Sequence, residues 1–136
     1  MYYDFMNNCS NTNVQTVNLP VNQGDTVQFL LEFYQDDGVT TIDASSWELA
    51  SEIRELYDSP IVLASFTFTQ EGLLNYQWYM QLTQEQVDAL PIAPSTSPGK
   101  KNINRLSYDL QATISESQIQ MIMQGTVFVN PAVTNP

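Results

Sequence analysis

Histidine is absent from this 136-residue sequence, and that absence alone removes a large class of functions. Without imidazole there is no Ser-His-Asp or Cys-His relay, and no histidine to ligate a metal or act as a base. Cysteine is nearly absent too. Cys9 stands alone in a polar stretch, so no intrachain disulfide can form and the redox compartment cannot be read from thiols. Zinc would have only one thiolate and carboxylates to hold it, a poor donor set. Positive charge is scarce: Arg54, Lys100, Lys101 and Arg105 face 15 acidic residues, for a net charge of -11. Four cations cannot build a phosphate-neutralising stripe, so no nucleic-acid partner is expected. The five glycines are scattered singly at turns, and no phosphate-cradling loop results. No apolar run approaches the roughly 20 residues of a spanning helix, so no membrane partner is expected. The first residues, MYYDFMNNCSNTN, lack the basic and apolar regions of a secretory signal.

What remains is a folded acidic protein. Hydrophobic residues make up 43% of the chain and charged residues only 14%, a balance that excludes a disordered acidic tail. The length suits one domain that buries a core without disulfides or metals. Such a chain is expected to fold and stay soluble where it is made.

The hydrophobic pattern has a period of two. Val27, Phe29, Leu31 and Phe33 alternate with Gln28, Leu30, Glu32 and Tyr34, which is a strand with one face in a core. Asn22 to Asp25 before it and Gln35 to Gly38 after it carry turn chemistry, the second of the Asp-Gly hairpin kind. An antiparallel sheet is expected there. Val14 to Val21 reads as an edge strand interrupted by Pro20, which cannot donate to a ladder. Trp47, Leu49, Ser51 and Ile53 share one face of a half-buried strand, favoured by that period of two over the short helix that the Glu and Ala content would also permit, and Ile61 to Thr69 is rich in β formers. Leu74, Tyr76, Trp78, Met80 and Leu82 give the longest alternation. Thr83 to Gln86 has capping-box form and predicts a short helix stopped by Pro91. Leu106 to Ile114 and Ile119 to Val129 supply two last strands, with Ile122 and Phe128 on the companion face of the second.

These elements predict an all-β fold, an antiparallel β-sandwich of about seven or eight strands with one short helix. Residues 1–13 read as an N-terminal arm, 14–131 as the sandwich with an exposed Pro-rich loop at 91–101, and 132–136 as a tail. Tyr2, Tyr3, Phe5 and Met6 in the arm are candidates to anchor it on a neighbouring subunit, the alternative being a frayed terminus. Tyr34 and Tyr79, on polar strand faces, are candidates for surface contact, and Lys100 and Lys101 could meet an acidic neighbour or simply be solvated.

No catalytic group, cofactor site or metal site is expected. The carboxylate pairs Asp36/Asp37 and Glu52/Glu55 would have to face each other across a cleft to work as acid and base, and neighbours in a turn are ordinarily solvated. Asp36, Asp37 and Asp43 bracket a turn that offers oxygen ligands for calcium, but without EF-hand spacing or its closing Glu. Tyr76 and Trp78 share the apolar face with Leu74, Met80 and Leu82, and so read as core rather than as a sugar platform.

The order NLPVNQGDTVQFLLEFYQDDGVTTIDASSWELASEIRE, then a strand pair, LTQEQVDAL, LSYDLQATI and QGTVFVNPAVT resembles small virion proteins of tailed bacteriophages. The shared features are a QGDT ahead of a strand, a DG turn after it, a YDL strand and a G-x-V-x-V strand. The resemblance spans about residues 17 to 134 and includes the N-terminal domain type of phage baseplate upper proteins. It implies an immunoglobulin-like β-sandwich that acts as a non-enzymatic assembly module at the tail, baseplate or neck. A capsid decoration protein is the alternative, and a carbohydrate-binding host-recognition module a more distant one. The implied partners are other virion proteins, in a homo-oligomer or symmetric array, with the protein made in the host cytoplasm and located in the virion. Family members often continue into a fibre or host-binding domain, whereas this sequence ends at Pro136, so receptor binding is not expected of it.

Overall fold

The computed structural model describes residues 14–35, 37–91 and 103–131, together with the backbone of residues 2–8. Two sheets face each other. Strand β4 (Val27–Tyr34) lies between β1 (Tyr2–Asn8) and β8 (Gln77–Leu82), and β7 (Thr67–Thr69) completes the order β1-β4-β8-β7. The second sheet runs from β2 (Gln15–Thr16) and β3 (Leu19–Asn22) through β10 (Gln118–Asn130), β9 (Asn104–Ser115) and β5 (Glu48–Arg54) to β6 (Ala64–Ser65). One helix, α1 (Gln84–Asp88), is present among the described residues. The β7-β8-β4 layer against the β10-β9-β5 layer is the connectivity of an immunoglobulin-like sandwich.

The core follows the period-two pattern. Val27, Phe29, Leu31 and Phe33 are all buried on the inner face of β4, opposite Leu106, Tyr108, Leu110 and Ala112 of β9 in one cluster. Each fully buried side chain of this size stabilises the fold by about 1.5–3 kcal/mol. Phe33 meets Trp47 at 5.0 Å between ring centroids, and Phe66 sits between Phe29 and Tyr108 at 6.3 and 6.5 Å. Trp47 and Phe66 both flank points where the chain crosses between sheets. Aromatic rings reach across the sandwich at those corners and close it.

Several expectations change in the folded chain. The turn after β4 forms, with Gly38 at φ 72° and its amide donating to Gln35. The next strand, however, does not return along β4. After a bridge from Thr41 to Tyr34 the chain crosses, and β5 joins the other sheet. Residues 61–69 are not one strand. Ala64–Ser65 pairs with β5 and Thr67–Thr69 with β8, so the chain changes sheets at the buried Phe66. The sandwich is also not wholly antiparallel, because β1 runs parallel to β4 and both β2 and β3 run parallel to β10. Among the described residues there are ten strands rather than about seven or eight: one predicted strand breaks into β2 and β3, another into β6 and β7, and β1 is additional.

The apolar faces shift in two places. Leu74 is exposed, and Tyr76 packs on Tyr34 rather than in the core, so the buried face of β8 starts at Trp78. Trp78 anchors there by donating its indole N–H to the Ala44 carbonyl at 3.0 Å. In β10 a register shift between Met121 and Met123 turns both Ile122 and Met123 into the core and leaves Ile119 exposed. A bulge inserts one residue and so inverts the alternation beyond it.

The helix and the edge strand behave as read. Thr83 and Gln86 form the reciprocal capping box, with Gln86 N–H donating to Thr83 Oγ1 at 3.2 Å and Thr83 N–H to Gln86 Oε1 at 2.9 Å. Asp88 then accepts from the Gly24 amide at 2.7 Å, which ties the helix to the β3–β4 turn. Pro20 does lie on an edge, in β3 beside Phe128 of β10.

Candidate functional site

The outer face of the β1-β4-β8-β7 sheet carries Gln28, Leu30, Glu32 and Tyr34 from β4, and Gln77, Tyr79 and Gln81 from β8. Leu30 stands opposite Tyr79, and Glu32 opposite Gln77, whose amide donates to the Glu32 carboxylate at 2.9 Å. Tyr34 lies four residues beyond Leu30. The two candidate tyrosines are therefore about 13 Å apart along the sheet at ~3.3 Å per residue, and the structure does not bring them together. Tyr34 instead meets Tyr76, with centroids 5.7 Å apart and planes tilted by 56°. Rings at that angle offer no common plane for a sugar. Both Tyr34 and Tyr79 are half-buried, and Leu30 beside Tyr79 on this face is buried.

The opposite outer face holds a feature the sequence did not announce. Residues Glu52, Arg54, Tyr57, Ser107, Tyr108 and Asp109 line a shallow, open cleft. It forms because β5 pairs with β9 in a register that sets Glu52 directly opposite Asp109. Arg54 donates to the Glu52 carboxylate at 2.8 Å and to the Ser59 carbonyl at 2.7 Å, pinning the β5–β6 loop beside the cleft. Burial, reinforced by the Glu52 charge, raises the Asp109 carboxyl above its ordinary value, and Arg54 partly opposes that shift. The carboxylate that the fold sets beside Glu52 is thus Asp109 rather than the sequence neighbour Glu55. Only strand register could reveal it, since 57 positions separate the two in the chain. Directly opposed carboxylates on a sheet are only ~5 Å apart at Cβ and lie side by side on one surface. They do not flank a bond from two walls, as paired acid and base must.

The turn considered for calcium uses its own carboxylates. Asp37 accepts from the amides of Val39 and Thr40, each at 2.8 Å, and from the Thr40 hydroxyl at 2.5 Å. Asp43 accepts from the Ser45 amide and hydroxyl at 3.0 and 2.6 Å. These hydrogen bonds, led by the Thr40 and Ser45 hydroxyls, hold both carboxyls below their ordinary value. Asp36 lies outside the described residues. Among the described residues no three His, Cys, Asp or Glu side chains gather at a possible metal position.

The other candidates separate in the same way. Tyr2, Tyr3, Phe5 and Met6 lie in β1, whose backbone pairs along the chain's own β4 from Tyr2 beside Gln28 to Asn8 beside Tyr34. Residues expected to form an arm or a frayed end thus extend the sheet by one strand. Lys100 and Lys101 lie outside the described residues, as does most of the Pro-rich loop.

No protein-family model and no curated protein matches the chain. Among solved structures, it is similar to PbICP-C, solved in complex with falcipain-2, at 12% identity over 96% of this chain and 98% of that one, with a TM-score of 0.45. It is also similar to the bradyzoite-specific antigen BSR4 of Toxoplasma gondii, at 9% identity over 94% of this chain and 46% of that one, with a TM-score of 0.37.

Proposed function

We propose that this chain is a non-enzymatic structural module of a tailed-phage particle, working by protein–protein contact at the tail, baseplate or neck. The observation that carries the reading is the kind of surface on offer: sheet faces and a strand-lengthened sheet edge. On the β5–β9 face the described residues form a shallow cleft with one ion pair, and the carboxylates of Asp37 and Asp43 are engaged by their own loops. A sandwich of this kind is suited to being held between neighbours rather than to enclosing a substrate. The sequence resemblance over residues 17 to 134 supplies the particle. Its partners are then other virion proteins, with Tyr34, Tyr79 and the Lys100–Lys101 pair as contact residues.

Quantitative mass spectrometry of purified particles against the major shell protein tests this directly. A few to a few dozen copies per particle is the expected result. Hundreds of copies would move the protein to the capsid surface as a decoration protein, and absence from particles would end the virion reading.

A further inference from the structure

Among the described residues the two sheets have four edges, and at three of them the terminal strand is short or interrupted. Strand β7 is three residues long and β6 only two. The β2/β3 edge is interrupted between Thr16 and Leu19 and contains Pro20. Short, broken and proline-bearing edges offer too few consecutive backbone groups to template a new strand. Strand β1 differs on each count. It is seven residues long, its register against β4 is unbroken from Tyr2 to Asn8, and it contains no proline, lysine or arginine. One side of its backbone pairs with β4, and among the described residues nothing pairs with the other.

We propose that this free edge of β1 is a self-association surface, on which β1 of a second copy pairs antiparallel about a twofold axis. Two arguments select a second copy as the occupant. The first is charge. A molecule with a net charge of -11 repels its own copies over most of its surface, but β1 carries a single charge, Asp4. The second is register. Full overlap of two antiparallel seven-residue strands centres on Phe5, placing Phe5 opposite Phe5, Tyr3 opposite Asn7 and Tyr2 opposite Asn8. Asp4 then stands opposite Met6, so the two like charges sit diagonally, about 7–8 Å apart, rather than directly opposed. A twofold contact of this kind is self-complementary and closes at the dimer. It joins two four-stranded sheets into one of eight. The inference names a partner for the assembly role proposed above, yet it does not depend on the virion reading, because purified protein alone tests it.

Sedimentation equilibrium of the full chain gives the first readout. A monomer–dimer equilibrium with a dissociation constant in the micromolar range is expected, about what one strand-pair interface supports; a monomer persisting at about 200 µM overturns the proposal. Register is read by oxidative cross-linking in a Cys9→Ser background. Phe5→Cys places two thiols directly opposite, with Cα atoms about 4.5–5.5 Å apart, within disulfide reach. Covalent dimer is expected from it, and none from Tyr2→Cys alone. Should Phe5→Cys disturb folding, an equimolar mixture of Asp4→Cys and Met6→Cys chains tests the same register and should give the mixed dimer. A dimer that forms without either cross-link, as strand exchange onto β4 or a different face would produce, also overturns the proposal.

Discussion

The hydroxyl of Tyr108 donates a 2.5 Å hydrogen bond to the carbonyl oxygen of Val17, 91 residues earlier in the chain. The Val17 amide meanwhile donates to the Gln124 carbonyl at 2.9 Å. That peptide occupies the gap between β2 and β3, directly over Gly125 of β10. The edge strand breaks there because the Val17 carbonyl turns toward the core, and it can do so because Tyr108 supplies a donor and Gly125 supplies space. A buried carbonyl without such a donor would destabilise the fold by about 1–3 kcal/mol.

Gly125→Ala is therefore expected to be among the most damaging small substitutions in the chain. A Cβ at this position would overlap the carbonyl oxygen and carbon of Val17, and backbone atoms paired on both sides cannot move aside. A loss of about 3 kcal/mol is expected, read as a lower midpoint in urea with an unchanged slope. Unaltered stability would mean that β2 and β3 detach from β10 at little cost.

Tyr108→Phe keeps the ring in its aromatic cluster and removes only the donor, so a loss of about 1–3 kcal/mol is expected. Burial also raises the Tyr108 pKa in the folded state. The unfolded tyrosine ionises near pH ~10, and above that value the unfolded chain holds fewer protons than the folded one, so stability falls as pH rises. This contribution is full below the unfolded value and is lost toward the folded one. Urea midpoints measured from pH 8 to 11 should fall less steeply for Tyr108→Phe than for the unaltered chain.

At Asp109 the sign makes the carboxylate the unfavourable form at neutral pH. Its folded pKa is raised by burial and by Glu52, so the protonated form is favoured in the fold. That stability is full below the unfolded value near ~3.9 and is lost as pH rises through the folded value. Asp109→Asn should thus stabilise the protein slightly at pH 7, by less than about 1 kcal/mol for a pair on an open sheet face. The gain should vanish near pH 3. Destabilisation at pH 7 instead would show that Arg54 serves Asp109 more than Glu52 repels it.

Thr83→Ala removes the hydroxyl that accepts from the Gln86 amide, for an expected loss of about 1 kcal/mol. Gln86→Ala should cost more than Gln86→Glu. The Gln86 side chain accepts from the Thr83 amide and also donates to the Ser65 carbonyl at 3.0 Å, and a carboxylate preserves only the accepting half. Thermal melting of the three variants orders these effects.

The sequence determined those features that depend on neighbours in the chain. Alternation in Val27 to Phe33, Trp47 to Ile53 and Leu106 to Ile114 set which faces are buried, because successive side chains in a strand point to opposite sides. The capping box, the edge placement of Pro20 and the Gly38 turn are likewise local chemistry. What only the tertiary structure decided is which strands meet. Local pattern says that a face is apolar but not which sheet it joins, so the crossings at Trp47 and Phe66 and the parallel placement of β1 were not legible. The bulge that brings Ile122 inward depends on β9 lying alongside. The Glu52–Asp109 pairing and the Tyr108–Val17–Gly125 arrangement each join groups more than 50 residues apart, and no sequence period spans such a gap. Long-range register fixed them, and that register is set when the two sheets close on a shared core.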